Sequence, residues 1–236
     1  MVNMCASDAN MSVLVVAAHP DDEVLGCGGT LARFAREGRQ VHVLLMTDGE
    51  GARGREKAAD NQGPCRARNA AAKQACDILG VKSIKTYGFP DNRMDGVDLL
   101  DVIKIIELNI ERCKPSLVIT HHSGDVNIDH CIVHSAVMAA TRPQPGHVVN
   151  EVWFYEIPSS TEWNTPGSKQ AFHPNLFVDV TDTIDHKYKA LHAYEAEMRS
   201  FPHARSVKAI ESLASWRGAT VGVKAAEAFV LGRKKI

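Results

Sequence analysis

Long apolar runs are missing from this chain of 236 residues: nothing approaches the roughly 18 consecutive apolar residues that a membrane span needs. The start, Met1 to Asn10, has neither the basic residues nor the apolar core of a secretory leader. A cytoplasmic protein without a membrane partner is the expectation. An excess of one charge sign is missing too, with 27 Lys and Arg against 28 Asp and Glu and a formal net charge of -1. That balance argues against a general nucleic-acid binder, whose affinity rests on surplus cations. Paired cysteines are absent: Cys5, Cys27, Cys65, Cys76, Cys113 and Cys131 are scattered with no C-x-x-C spacing. They read as reduced thiols, mostly within apolar helical patterns, with no ligand role. No repeat or low-complexity segment occurs, and 44% hydrophobic against 23% charged residues suffices for one full core. The expected organisation is a tail over residues 1–11 and one domain over 12–236, with a homo-oligomer compatible with it.

What is present is concentrated where the first apolar run stops. Val13-Leu14-Val15-Val16-Ala17-Ala18 shows no alternation and reads as a strand buried on both faces. It empties into His19-Pro20-Asp21-Asp22-Glu23, at the carboxyl edge where open α/β sheets build their sites. Pro20 ends the ladder and fixes φ, so its neighbours are held in a defined turn. Imidazole and carboxylate at this spacing suit a divalent metal of the zinc type. Equally, the acids can form a solvated turn that caps the next helix.

A second polar patch follows the apolar run Ser116 to Thr120. His121-His122-Ser123-Gly124-Asp125-Val126-Asn127-Ile128-Asp129-His130-Cys131-Ile132-Val133-His134 holds four histidines in fourteen residues. Core packing explains this poorly, because a buried imidazole costs desolvation that an apolar side chain avoids. A second source of metal ligands accounts for it. His130 and His134 stand four apart on one helix face, as in zincins, but the zincin glutamate is absent and His134 reads as packing.

Between and beyond these patches, strands alternate with helices. Strands are expected over 41–46, 84–88, 116–120, 151–157 and 172–180, and helices over 24–36, 66–79, 98–114, about 128–140 and 183–198. Closing helical segments are expected at 210–216 and 225–231. The cluster Gly26-Cys27-Gly28-Gly29 lacks the G-x-G-x-x-G spacing of a dinucleotide site and is read as close helix-to-sheet packing. Residues 52–64, with Arg53 and Arg55, read as a loop over the sheet edge. The fold class is a single-domain, Rossmann-like α/β structure, mostly parallel, with helices on both faces.

Ala18-His19-Pro20-Asp21-Asp22-Glu23 resembles the signature of the PIG-L/LmbE family of zinc-dependent N-acetylglucosaminide deacetylases. Asp129-His130 resembles that family's second motif, and Tyr155 to Trp163 and Phe201 to Ser206 look like segments of its bacterial sugar-deacetylase branch. The resemblance implies Zn2+, or another divalent cation such as Fe2+, held by His19, Asp22 and His130, with Asp21 as the general base. Asp129 then orients a metal-bound imidazole, and Arg68 reaches the substrate. Asn127 stands where the family's usual histidine polarises the substrate carbonyl. The imidazole it lacks is sought at His203, in a turn broken by Pro202 and flanked by Arg205. Trp163 suits a sugar face, with a buried tryptophan in a surface turn as the equal alternative.

The activity implied is removal of an acetyl group from an N-acetylated amino sugar, either a GlcNAc-type glycoside or a nucleotide-linked sugar. A thiol-linked glucosaminide of the mycothiol or bacillithiol type, and a non-catalytic metal or sugar binder, are the alternatives.

Overall fold

The computed structural model describes residues 11–49, 62–165, 167 and 170–236. Most of the tail, and the part of the polar segment that carries Arg53 and Arg55, lie outside the described residues. Five strands, β1 (Ser12–Ala17), β2 (Gln40–Thr47), β3 (Ser83–Phe89), β4 (Leu117–His121) and β5 (Glu151–Tyr155), pair in parallel. Two more, β6 (Leu176–Asp179) and β7 (Ala226–Lys234), are added antiparallel, giving the order β3-β2-β1-β4-β5-β7-β6. The expected mostly parallel α/β sheet is therefore present.

The central position of β1 explains its lack of alternation. Val13, Val15 and Ala17 face one apolar cluster, while Leu14, Val16 and Ala18 face another. The first cluster is completed by α1 (Asp22–Arg36), α2 (Gln62–Leu79), α5 (Ile184–Ala193) and α6 (Val207–Val221), the second by α3 (Leu99–Cys113) and α4 (Ile128–Ala140). From β1 the chain winds outward through β2 to β3 and then crosses back to β4, on the other side of β1. The strand order reverses between β1 and β4, and the crevice outside their carboxyl ends is the ligand position of such sheets. Both polar patches leave the sheet at this crevice. Among the described residues, no helix is long and apolar enough to cross a membrane.

The strand expected over 172–180 is confined to Leu176–Asp179, and two further elements differ more. Residues 225–231 are not a closing helix: β7 begins at Ala226, paired with β5 on one side and β6 on the other. The helix propensity of Ala225-Ala226-Glu227-Ala228 yields to this two-sided pairing and to the burial of Ala226, Ala228 and Phe229. The helix expected to end at Met198 stops at Ala193, followed by a short 3-10 turn over Glu195–Glu197.

α1 is two helical segments joined at Cys27, whose φ of -149° and ψ of 21° are not helical. Its first segment lies hard against the sheet, for a Cβ on Gly26 would stand 2.5 Å from Cδ2 of Tyr155. The break strands backbone groups that a continuous helix would pair. Lys187 Nζ donates to the Leu25 carbonyl at 2.8 Å, and the Gly29 and Thr30 N–H groups donate to the Glu227 carboxylate at 3.0 and 2.7 Å. The two side chains also pair with each other at 2.6 Å, 5% and 4% exposed.

Removing one member of a buried pair leaves an uncompensated charge. Lys187→Met and Glu227→Gln are each expected to lower unfolding free energy by about 3 to 5 kcal/mol in urea titrations. A loss below about 1 kcal/mol would show that packing alone holds the break.

Candidate metal centre and its cleft

Asp22 opens α1, His19 ends the β1 turn and His130 lies in the first turn of α4, so the topology delivers all three to the crevice. His19 Nδ1, Asp22 Oδ2 and His130 Nε2 form a triangle with edges of 3.2, 3.3 and 3.3 Å. Tetrahedral coordination at the usual ~2.0–2.1 Å for zinc puts ligand atoms about 3.3 Å apart. The donor set also fits chemically. His19 presents its other nitrogen, Nε2, to Asp129 Oδ2 at 3.0 Å, and His130 presents Nδ1 to Asp125 Oδ2 at 3.1 Å. With His19 Nε2 donating to Asp129 and His130 Nδ1 turned toward the Asp125 carboxylate, the two inward nitrogens and the Asp22 oxygen are the lone-pair donors a cation site requires. A neighbouring set, His19 with Asp91 and Asp129, fits less well. Asp129 already accepts the Asn92 and Met94 backbone N–H groups at 2.7 and 3.0 Å.

The surrounding groups hold this geometry. Burial opposes ionisation of Asp22, but His130, His121 and His19 outweigh it, and its pKa lies well below the usual range. Burial also disfavours a charged His130, yet Asp22 and Asp125 raise its pKa to about 9. His121 goes the other way: burial and the neighbouring His130 push its pKa well down. Accordingly its Nε2 accepts the Ala18 N–H at 2.9 Å, and its ring stacks on His130 at 3.9 Å. Asp125 is fixed by the Ser160 and Thr161 hydroxyls at 2.5 and 2.7 Å.

Asp21 sits beside the triangle in a left-handed conformation, φ 111° and ψ -27°, which is costly for a residue with a side chain. Its N–H donates to Glu23 Oε2 at 3.1 Å, and Glu23 Oε1 accepts the Tyr194 hydroxyl at 2.6 Å. Burial raises the Asp21 carboxyl, Arg205 opposes this, and Asp22 and Glu197 add to it, leaving a pKa of about 7. Arg205 Nη1 donates to Asp21 Oδ2 at 2.9 Å.

His19, Asp21 and His130 open onto a cleft of about 310 Å³. Arg68 and Trp163 line it. Arg68 donates to the Gly49 carbonyl and to Glu197. Trp163 is 56% exposed, which removes the alternative of a buried turn tryptophan. Asn127 also lines the cleft and is the N-cap of α4, its Oδ1 accepting the Asp129 N–H at 2.9 Å and its Nδ2 donating to Asn92 at 3.0 Å. His203 stands edge-on to Trp163 at 5.6 Å, and its Nδ1 accepts the Arg205 N–H at 3.0 Å. Among the described residues, no contact joins it to the triangle. His134 is occupied by the His121 carbonyl and the Phe154 ring.

Sequence reasoning assigned no role to Asp125, Glu23, Tyr194 or Arg205. Arg205 has a partial signal, because it shares the Pro202-His203-Ala204-Arg205 turn with the candidate His203. Asp125 stood inside the histidine-rich patch, five residues before the imidazole it orients.

The PIG-L family, described as GlcNAc-PI de-N-acetylase, matches residues 14–141. A probable N-acetyl-alpha-D-glucosaminyl L-malate deacetylase of Bacillus cereus is 28% identical over 188 residues, covering 78% of this chain and 83% of that one. A 4-oxalmesaconate hydratase of Pseudomonas putida is 29% identical over 210 residues, covering 79% and 76%. Among solved structures, the conserved protein TT1542 of Thermus thermophilus superposes with a TM-score of 0.74 at 29% identity, covering 96% of each chain.

Metal analysis tests the triangle directly. The purified chain is expected to carry about one divalent ion. His19→Ala, Asp22→Ala and His130→Ala are each expected to lose most of it, since three ligands are the minimum for a catalytic zinc site. Full occupancy in any one of these variants would strike that residue from the set.

Proposed function

This chain belongs to the PIG-L family, and from that premise we propose that it is a cytoplasmic, zinc-dependent hydrolase that removes the acetyl group from an N-acetylated amino sugar. The observation that carries the reading is the ligand triangle with the ionisable Asp21 next to it. Zinc, when bound, supplies a Lewis acid that polarises an amide carbonyl and lowers the pKa of water. His19, Asp22 and His130 hold it; Asp129 and Asp125 fix the two ring orientations. Asp21 takes the proton from the attacking water and returns it to the departing amine, so that one group serves as base and then as acid.

The carbonyl oxygen needs a donor as it gains charge. Asn127 is the stronger candidate on position, because it faces the cleft and keeps one amide hydrogen beyond that given to Asn92. His203 remains the alternative. Arg68 and the exposed face of Trp163 hold the sugar. A free small substrate, GlcNAc-type or linked to a nucleotide or to a small acid or thiol-bearing unit, suits a cleft of about 310 Å³. The Bacillus relative acts on one compound of this kind by its name; the Pseudomonas relative, named a hydratase, supplies the control reaction.

Acetate release should be measured from N-acetylglucosamine, diacetylchitobiose, a nucleotide-linked GlcNAc and GlcNAc-malate, with 4-oxalmesaconate hydration assayed alongside. Zinc-dependent acetate release from at least one sugar is expected; hydration without acetate release would overturn the assignment.

Asp21→Asn is expected to keep its metal and lose on the order of 10²-fold or more in kcat, the usual contribution of a positioned base. Near-normal turnover would remove Asp21 from that role.

Asn127→Ser preserves an N-cap oxygen while deleting the amide donor. It is expected to lower kcat by roughly 10² to 10³, the effect of losing one oxyanion donor. His203→Ala showing the larger loss at saturating substrate would transfer the role to the imidazole.

A further inference from the structure

Arg205 connects the turn that follows β1 with the turn that follows β5. Its Nη1 donates to Asp21 Oδ2 at 2.9 Å and its Nε donates to Ser159 Oγ at 3.1 Å. Asp21 and Ser159 are both non-glycine residues with positive φ, 111° and 69°. One follows β1 and the other follows β5, so a single planar guanidinium holds two backbone positions that local preference disfavours. The arginine is itself anchored. Its backbone N–H donates to His203 Nδ1 at 3.0 Å, and its carbonyl accepts the Arg199 N–H at 3.2 Å. Four carboxylates, those of Asp21, Asp22, Glu197 and Glu162, stabilise its charge.

We propose that Arg205 is the positioning residue of Asp21. By occupying Oδ2 it fixes the plane of the carboxylate and leaves Oδ1 as the oxygen that meets water. This rests on the hydrolytic reading above, and it adds a residue that the two sequence motifs do not contain. Local spacing cannot reveal it, since 184 residues separate the partners.

The test is a double-mutant cycle on the zinc-loaded full chain. Arg205→Ala is expected to retain zinc and lose roughly 10²-fold in kcat, with KM changed less than about threefold. Arg205→Lys, which keeps charge but not the planar fork, should recover part of the loss, and added guanidinium ion should recover part of it in the alanine variant. In an Asp21→Asn background, Arg205→Ala should cost less than about threefold, because its target is already disabled. An undiminished loss in that background, or a loss confined to KM, would show that Arg205 acts on substrate and overturn the proposal.

A second cycle needs no turnover. Urea midpoints of the wild type, the two single variants and the double variant should be non-additive if the two side chains are coupled as the structure shows. Additive midpoints would overturn the pairing whatever the kinetics. Failure of the wild type to release acetate from any sugar counts against the hydrolytic reading instead, and the urea cycle then decides the pairing alone.

Discussion

One carboxylate oxygen gathers the site. Asp22 Oδ2 accepts the His19 backbone N–H at 2.9 Å and lies 3.2, 3.3 and 3.5 Å from the imidazoles of His19, His130 and His121. Those groups come from the end of β1, the start of α4 and the end of β4, so a single atom ties the two strands of the sheet's reversal to the helix beyond. Such an oxygen is costly to bury without charge around it. Everything nearby answers that cost: two imidazoles made basic by outer carboxylates, a third held neutral, and a turn whose backbone N–H points inward.

The parts of this arrangement that the sequence discloses are those in which chemistry and periodicity coincide locally. The unalternated run from Val13 to Ala18 announces a strand buried on both faces, and the residues after it can only lie at its carboxyl end. His130 is legible because it sits in a histidine-dense patch directly after another buried strand. The groups that stayed hidden act across long separations. Asp125 is held by Ser160 and Thr161, Glu23 by Tyr194, and Glu227 by Lys187, contacts no spacing rule predicts. The misread of residues 225–231 has the same origin. An Ala-rich stretch with a glutamate has helical preference, and only its neighbours in the sheet, β5 and β6, make it a strand.

Family membership narrows the chemistry less than it narrows the architecture. A protein named as a probable deacetylase and one named as a hydratase match 78% and 79% of this chain at nearly equal identity. In the reading proposed above, a ligand triangle and a neighbouring base serve a hydrolysis or a hydration alike. On that reading, selectivity is assigned to the cleft wall, which Arg68, Trp163, Asn127 and Glu197 line. Most of those residues come from helices, turns and loops outside the parallel strands, which is where one scaffold acquires different substrates.

The break in α1 divides one helix into two mechanical bodies. The first, Asp22 to Gly26, carries the candidate ligand Asp22 and is seated on the Tyr155 ring; the second begins at Gly28 and is seated on Glu227 of β7. A continuous helix would act as a lever, turning any displacement of its far end near Arg36 into a shift of Asp22. The interruption at Cys27 removes that lever. The Lys187–Glu227 pair spans the joint instead, holding Leu25 on one side and Gly29 and Thr30 on the other, so the turn that bears Asp22 takes its position from α5 and β7 rather than from the rest of its own helix.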